Sequence, residues 1–326
     1  MRNMKKLCLL VLCFSISIVV YCETIQRVIL SHEGNLTQYD AAHWQDAFTA
    51  AVDGDIIYFT PGVFSGDLTI TKAISLIGAG ISQTDCFGTN GWTAMSYSGY
   101  CTTGQSTSIR GDITIAIPGS KTLTSPLMEG IRVYGYQQKV RVTEPVTNLT
   151  FKRCQFSRDD GGGFFEATAT VTNLTIEGCF INNLNGTNVV NLNIHNCYIV
   201  DFDGGIPEGT QFVNCQIECL RYFQNCTLTN CIVTRPNYGA SSITYDHCIL
   251  DGYYEDPQST EIECHHHGGG EITNALITTT YPGIGPFYGS TPFTFKPSQS
   301  YVSSSTLNYD SSTKKLNVTM TINKGE

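Results

Sequence analysis

A nine-residue unit recurs along the middle of this chain of 326 residues, and it constrains the fold more than any other feature. Asn148-Leu-Thr-Phe-Lys-Arg-Cys154-Gln-Phe156 returns as Asn173-Leu-Thr-Ile-Glu-Gly-Cys179-Phe-Ile181 and as Asn191-Leu-Asn-Ile-His-Asn-Cys197-Tyr-Ile199. Degenerate copies surround Cys215, Cys231 and Cys248, and Ala275 takes the cysteine place in Glu271-Ile-Thr-Asn-Ala275-Leu-Ile277. Subtracting these positions gives spacings of 25, 18, 18, 16, 17 and 27 residues. A unit this short cannot bury its own apolar face and must stack on its neighbours, which is how solenoids form.

The unit contains a corner. Leu149 and Phe151 share one parity, Cys154 and Phe156 the other, so an unbroken strand would expose one pair to water. A bend between them turns both pairs inward. The residue before the cysteine is Gly178, Asn196, Asn214, Asn230 or Asn274 in five of the seven copies, and these types adopt left-handed backbone angles most readily. Arg153 and His247 depart from that preference. Asparagines stacked at successive corners can hydrogen-bond along the solenoid, and the coil pattern also accounts for Asn148 and Asn173, which begin N-x-T sequons.

Cys154, Cys179, Cys197, Cys215, Cys231 and Cys248 are therefore expected as a buried column of free thiols, about 4.8 Å from rung to rung. Vertical disulfides fit by distance, but in-register side chains present poor dihedral geometry. Neither CxxC spacing nor an interleaved His supports a metal ladder. Cys86 and Cys101 bracket the loop 87–100 off the repeat and are expected to pair as a disulfide. Cys219, Cys226 and Cys264 have no assigned partner.

Residues 1–22 read as a signal peptide. Three positive charges in Met1–Lys6 precede the apolar run Leu7–Tyr21, a length that suits a signal rather than a membrane span. Bulky Tyr21 argues against lipidation at Cys22. Export places the rest of the chain in a secreted, periplasmic or cell-surface setting, where disulfides persist. Net charge is −9, or −12 (−9 − 3) without Arg2, Lys5 and Lys6, which disfavours nucleic acid as a partner. No other run of 18 apolar residues occurs, so the mature chain carries no expected membrane span.

After the signal, Ile25–Leu30 reads as a strand. Asp40 is the expected N-cap of a short helix whose apolar face is Trp44, Ala47, Phe48 and Ala51. Short strands follow at Ile56–Phe59, Leu68–Ile70 and Ile74–Ile77. Trp44…Ala47…Ala51-Val52-Asp53-Gly54-Asp55-Ile56-Ile57…Pro61-Gly62-Val63-Phe64…Ile70…Lys72-Ala73-Ile74-Ser75-Leu76-Ile77-Gly78-Ala79-Gly80…Thr84 resembles the opening coil of pectin-lyase-like, right-handed parallel β-helix proteins over about forty residues. The resemblance implies a helix plugging the N-terminal end of the solenoid. It says little about chemistry, because lyases, esterases, hydrolases and non-enzymes share this opening.

Three places are candidates for function. In the 87–100 loop, Trp92, Tyr97 and Tyr100 among Gly, Ser and Asn can form a sugar-stacking surface, or can simply pack the loop onto the coil. Second, Asp160, Asn185, Asp203, Arg221 and Asn237 lie six residues after successive cysteines, and Arg158, Asn183, Asp201 and Arg235 lie four after. With register kept, Asp160 and Asp203 stand about 9.6 Å apart, at the wide edge for an inverting carboxylate pair. Alternatively, these carboxylates with Arg221 can hold Ca²⁺ and a uronic acid, as in pectate lyases; solvated turn charges are the plain alternative. Third, His265-His266-His267 invites a transition metal, but adjacent residues on one loop seldom close such a site. Asp159-Asp160 and His267-Gly268 resemble polygalacturonase fragments, yet the family's other motifs are absent, and no cofactor motif is readable.

From Tyr281 the chain turns Pro- and Gly-rich, and Leu307-Asn-Tyr309 and Leu316–Ile322 flank a hairpin signal at 310–313. This tail looks like the ending of secreted β-helix proteins frequent in Bacteroidetes, where such strands close the open end. The expected fold is all-β: a right-handed parallel β-helix over 23–280 with an N-terminal helical cap, followed by a C-terminal β-hairpin cap within 281–326. The expected function is an exported or surface-displayed protein that binds a polysaccharide or other glycan, or serves as a scaffold, without cofactor and with oligomeric state left open. The alternatives are a polysaccharide lyase or glycoside hydrolase using Asp160, Asp203 and Arg221 on acidic or host glycans, and a structural or adhesion protein.

Overall fold

The computed structural model describes residues 26–81, 106–135, 137–158, 162–202, 205–221, 224–238, 241–251, 258–268, 280–286, 288–289, 292, 301–310 and 315–323. These form an all-β structure of long parallel sheets, compatible with a solenoid-like β-helix. The longest sheet runs from Ile56–Phe59 through Ser75–Ile77, Met128–Glu129, Thr150–Lys152, Val171–Glu177, Val189–His195, Gln211–Val213, Thr227–Thr229 and Thr244–Asp246 to Thr260–Ile262. A second sheet collects the strand after each corner, from Gly62–Ser65 to His265–His267. A third holds only Leu68–Ile70, Ile113–Ile115, Val140–Val142 and Phe165–Ala167.

The spacing of the repeat follows from that third face. The 25-residue step from Cys154 to Cys179 contains Phe165–Ala167, whereas among the described residues the later steps of 16 to 18 residues contain no strand of the third sheet. Where all three faces exist, their rings meet inside: Phe151 lies 5.3 Å from Phe156 and 6.3 Å from Phe165, both edge-on. Such a core is held by apolar burial and dispersion summed over every coil.

The corner behaves as the residue pattern requires. Leu149, Phe151, Cys154 and Phe156 are all fully buried. The residue before each cysteine has positive φ throughout: Arg153 (48°), Gly178 (61°), Asn196 (54°), Asn214 (51°), Asn230 (54°), His247 (54°) and Glu263 (48°). Arg153 and His247 therefore break the preferred residue type without breaking the conformation. The hydrogen-bonded asparagine ladder stands elsewhere, at the start of the unit. Asn173 Nδ2 donates to Asn148 Oδ1 and Asn191 Nδ2 to Asn173 Oδ1, each at 3.0 Å.

The cysteines form the expected column, and Cys154, Cys179, Cys197, Cys215, Cys231 and Cys248 are free thiols with no exposed surface. The N–H of Cys154, Cys179, Cys215 and Cys231 lies 3.3 to 3.4 Å from the sulfur of the next cysteine in the column. Cys264 continues it, since Ile249–Asp251 pairs with His265–His267 residue for residue. The seventh rung is thus Thr260–His267, not the segment around Ala275, which lies outside the described residues. The apolar pattern hides this coil, because Glu261 and His266 stand at the positions that Tyr245 and Leu250 hold on the coil before.

At the N-terminal edge, Arg27–His32 and Asn35–Asp40 form an antiparallel hairpin that pairs with Ile56–Phe59. The helix is only Asp46–Ala50, with Gln45 at its N-cap position. Asp40 is not its cap: the carboxylate accepts the N–H groups of Ala42 and His43, making a local turn that competes with helix. Trp44, Ala47 and Phe48 are buried, and Trp44 packs against Phe59 and Phe64 at 6.0 Å.

The tail takes a course the sequence did not suggest. Tyr281 packs on His265, Ile284 on Ile232 and Ile249, and the carbonyl of Tyr288 accepts from Asn196 and Asn214. The segment therefore runs back across the outside of the second sheet, toward earlier coils. The hairpin exists, with Leu307 opposite Val318, and its strand Tyr301–Asp310 lies beside Ile56–Phe59. Burying Ile284 on Ile232 and Ile249 draws the chain in that direction.

Candidate functional site

Past each strand of the second sheet the chain turns, and short polar side chains come to one edge of the coils. Asn183 and Asp201 pair in register there, and the Cys219 N–H donates to Val200 O on the preceding coil at 3.1 Å. Of the strip residues four after each cysteine, Asn183 and Asp201 thus stand side by side. The line six after does not hold throughout: Arg221 pairs with Tyr238, not Asn237, because the register shifts between Leu220 and Arg221. Asp160 and Asp203 lie outside the described residues, as do Trp92, Tyr97, Tyr100, Cys86, Cys101 and residues 1–22; Arg221 is placed in a strand, its side chain outside the described atoms.

Two clusters occupy this edge. The first centres on Glu218, three residues after Cys215. Its Oε1 accepts the Tyr198 hydroxyl, and Arg235 Nη2 stands 3.8 Å from Oε2. Tyr198 is held by a parallel stack on Phe180, with centroids 5.3 Å apart. Burial pushes the Glu218 carboxyl above its ordinary value, and Asp201 adds to the effect, against the pull of Tyr198 and Arg235. An offset of three was not among those considered in the sequence; a carboxylate beside Cys219 was the available signal.

The second is a groove of about 340 Å³ lined by Lys139, Phe165, Glu166, Thr168, Asn185 and Asn188, among others. Val140–Val142 and Phe165–Ala167 alternate apolar-in and charged-out, which brings Arg141 opposite Glu166 on the outer face. Lys139 Nζ lies 2.9 Å and Arg141 Nε 3.5 Å from Glu166 Oε2, and Arg141 also pairs with Asp112. The hydrogen bond from Lys139 holds the Glu166 carboxyl below its usual range. Asn188 Nδ2 donates to Ala167 O at 2.7 Å, and Asn185 Oδ1 accepts the Thr187 N–H at 2.9 Å. Asn185 belonged to the strip read from sequence. Lys139 and Glu166 did not, because they lie outside the cysteine repeat.

The histidine triplet is a strand, not a loop. His266 sits opposite Leu250 and bonds Glu261, whereas His265 packs on Tyr281. Alternation sends neighbouring imidazoles to opposite faces, so the three do not converge. Among the described residues no three His, Cys, Asp or Glu side chains are grouped to hold a metal ion.

Comparison of this chain with protein-family models, with curated proteins and with solved structures finds no match.

Proposed function

We propose that the chain is an exported or surface-displayed, right-handed β-helix protein of the pectin-lyase-like kind, with the helix Asp46–Ala50 plugging its first coil, that binds a glycan without cleaving it. The observation carrying this reading is the Lys139–Glu166 groove. Its ion pair, amides and hydroxyl offer donors and acceptors on a rigid sheet, the kind of array that hydrogen-bonds sugar hydroxyls. A carboxyl held below its usual range stays ionised and accepts hydrogen bonds; it is poorly suited to deliver a proton. Isothermal titration against a panel of neutral and acidic oligosaccharides tests this. Glu166→Gln with Lys139→Met is expected to weaken binding about tenfold or more, since several charge-assisted hydrogen bonds to the sugar are lost. Unchanged affinity in that variant overturns the groove as the site.

A second reading, a polysaccharide lyase or glycoside hydrolase, draws on Glu218. A partly desolvated carboxyl with raised affinity for its proton, near Asp201, is the environment in which a general acid works. New reducing ends or unsaturated uronide absorbance on the same panel, lost in Glu218→Gln, favour cleavage; their absence with binding retained favours the first reading.

A further inference from the structure

We infer that the tail residues 281–286 and 288–289 are an autoinhibitory strap, docked over a second glycan-binding face on the outside of the second sheet. The inference rests on the glycan reading above but concerns another face. Cys179, Cys197 and Cys215 point into the core, so alternation turns the residues after them, Phe180, Tyr198 and Gln216, outward. These three stand in register on successive coils and are nevertheless covered, at 5%, 1% and 5% exposed. The strap crosses the same coils. Asn196 Nδ2 donates to Pro286 O at 2.9 Å and to Tyr288 O at 2.5 Å, and Asn214 Nδ2 donates to Tyr288 O at 3.3 Å. These asparagines stand two residues before Tyr198 and Gln216. One coil further on, Ile284 packs on Ile232, the residue paired with Gln216.

The fit is one-sided. The strap brings carbonyls to this face, while its backbone donors are spent or missing. Pro286 has no N–H, the Gly285 N–H donates to Asn230 O at 2.9 Å, and the Tyr288 N–H turns back to Gly285 O at 3.2 Å. Among the described residues, Asn214 Oδ1 and Gln216 Oε1 are buried with no hydrogen-bond partner. A buried acceptor left unpaired is costly, which makes the strap a poor partner for this face. Glu218, two residues past Gln216 and 21% exposed, adds a further acceptor; it holds the Tyr198 hydroxyl, and Tyr198 is fixed by its stack on Phe180. An acceptor-rich face calls for a ligand rich in donors. Each sugar hydroxyl donates a proton that a strap carbonyl cannot, whereas a uronic acid or sulfate would lay further acceptors on the amide oxygens. The ligand that fits is therefore a neutral glycan. Strap and glycan compete, and the affinity of the docked chain scales with the fraction of molecules whose strap is released.

The test is made on the full chain in the Glu166→Gln, Lys139→Met background, so that binding in the groove does not mask the result. Gly285→Ala with Gly289→Ala, or Ile284→Asp where that pair does not fold, releases the strap, and faster amide exchange at Ile232 and Ile249 reports the release. Titration with the neutral oligosaccharides of the panel is expected to show affinity raised about tenfold or more over the background, with no gain for the acidic ones. Gln216→Met, which keeps the length of the side chain and removes the acceptor, is expected to cancel the gain. A released strap without a gain overturns the inference, as does a gain that survives Gln216→Met or is confined to acidic oligosaccharides. A strap that neither variant loosens overturns it too, since it then governs nothing. Whether the groove itself binds is read separately, from the background against the parent.

Discussion

Arg153 Nη1 lies 3.1 Å from Glu129 Oε1 across one coil, at a corner where the Arg153 backbone is left-handed. The arginine is 10% exposed and the glutamate 1%. Such a backbone angle costs a branched or long residue about 1 kcal/mol or more, and the ion pair offsets this by satisfying a carboxylate the fold has buried. Arg153→Ala is expected to lower stability by about 3 kcal/mol, measured by urea unfolding. Arg153→Asn restores the corner's preferred residue type but not the charge, and is expected to recover only a fraction. Full recovery in Arg153→Asn means that the backbone, and not the pair, is what the position needs.

The thiol column predicts a pattern of reactivity. Burial drives the thiols of Cys154, Cys197 and Cys231 well above their ordinary value, and that of Cys226 up to about 11. Hydrogen bonds along the column pull Cys179, Cys215 and Cys248 the other way and the bond with Cys248 raises Cys264, so it is lack of solvent access, not protonation, that keeps the column residues inert in the native state. Among the described cysteines Cys264 alone is more than slightly exposed. Iodoacetamide followed by peptide mass spectrometry is expected to label Cys264 in the native protein and the other column cysteines only after denaturation. Native labelling of Cys197 at a rate near that of Cys264 contradicts a closed column.

The core was legible because its period and parity are written in apolar side chains: Leu149, Phe151, Cys154 and Phe156 are placed inward by alternation and one bend alone. The edge was legible only in part. Asn183 and Asp201 follow the cysteine period and do align, whereas Arg221 is displaced by a bulge between it and Leu220 that no residue type announces. Glu218 and Glu166 escaped notice because what marks them is burial and the approach of Tyr198 and Lys139 from other coils. The tail's return path was hidden for the same reason: Ile284 finds Ile232 and Ile249 through space, and the chain's own pattern shows only turns.

Glu218 and Glu166 are expected to affect stability in opposite senses with pH. Burial raises the folded-state value of Glu218 above its unfolded one, so the folded chain holds the extra proton. Its contribution is fully present below the unfolded value, about 4.3, and is lost as pH rises through the folded value. Glu218→Gln, which cannot ionise, should therefore gain stability relative to the parent between about pH 4 and about pH 7. Lys139 lowers Glu166, whose contribution is present above the unfolded value and is lost as pH falls through the folded one. Glu166→Gln should lose ground to the parent as pH rises from that lowered folded value to about 5, just past the unfolded one. Urea midpoints of each variant across its own range check the signs; curves parallel to the parent's contradict the assignment.

Gly289 is the pivot of the returning tail. Its φ is +90°, and a Cβ there would stand 2.1 Å from Asn214 Nδ2, the amide that donates to Tyr288 O at 3.3 Å. Gly285 is similar, with φ +97° and a Cβ position 2.8 Å from Ile232 Cδ1. A side chain at either glycine meets an unfavourable backbone angle and an occupied space together. The Asn214 amide can swing away only by giving up its bond to the tail, and Ile232 has no exposed surface through which to move. Gly285→Ala with Gly289→Ala is expected to lift the segment from the second sheet while the coils stay intact, because their hydrogen bonds run between rungs and do not pass through the tail. Faster proteolysis within residues 281–300, faster amide exchange at Ile232 and Ile249, and unchanged far-ultraviolet circular dichroism are the expected readouts. A cooperative loss of the whole sheet signal instead assigns the tail a part in holding the solenoid itself.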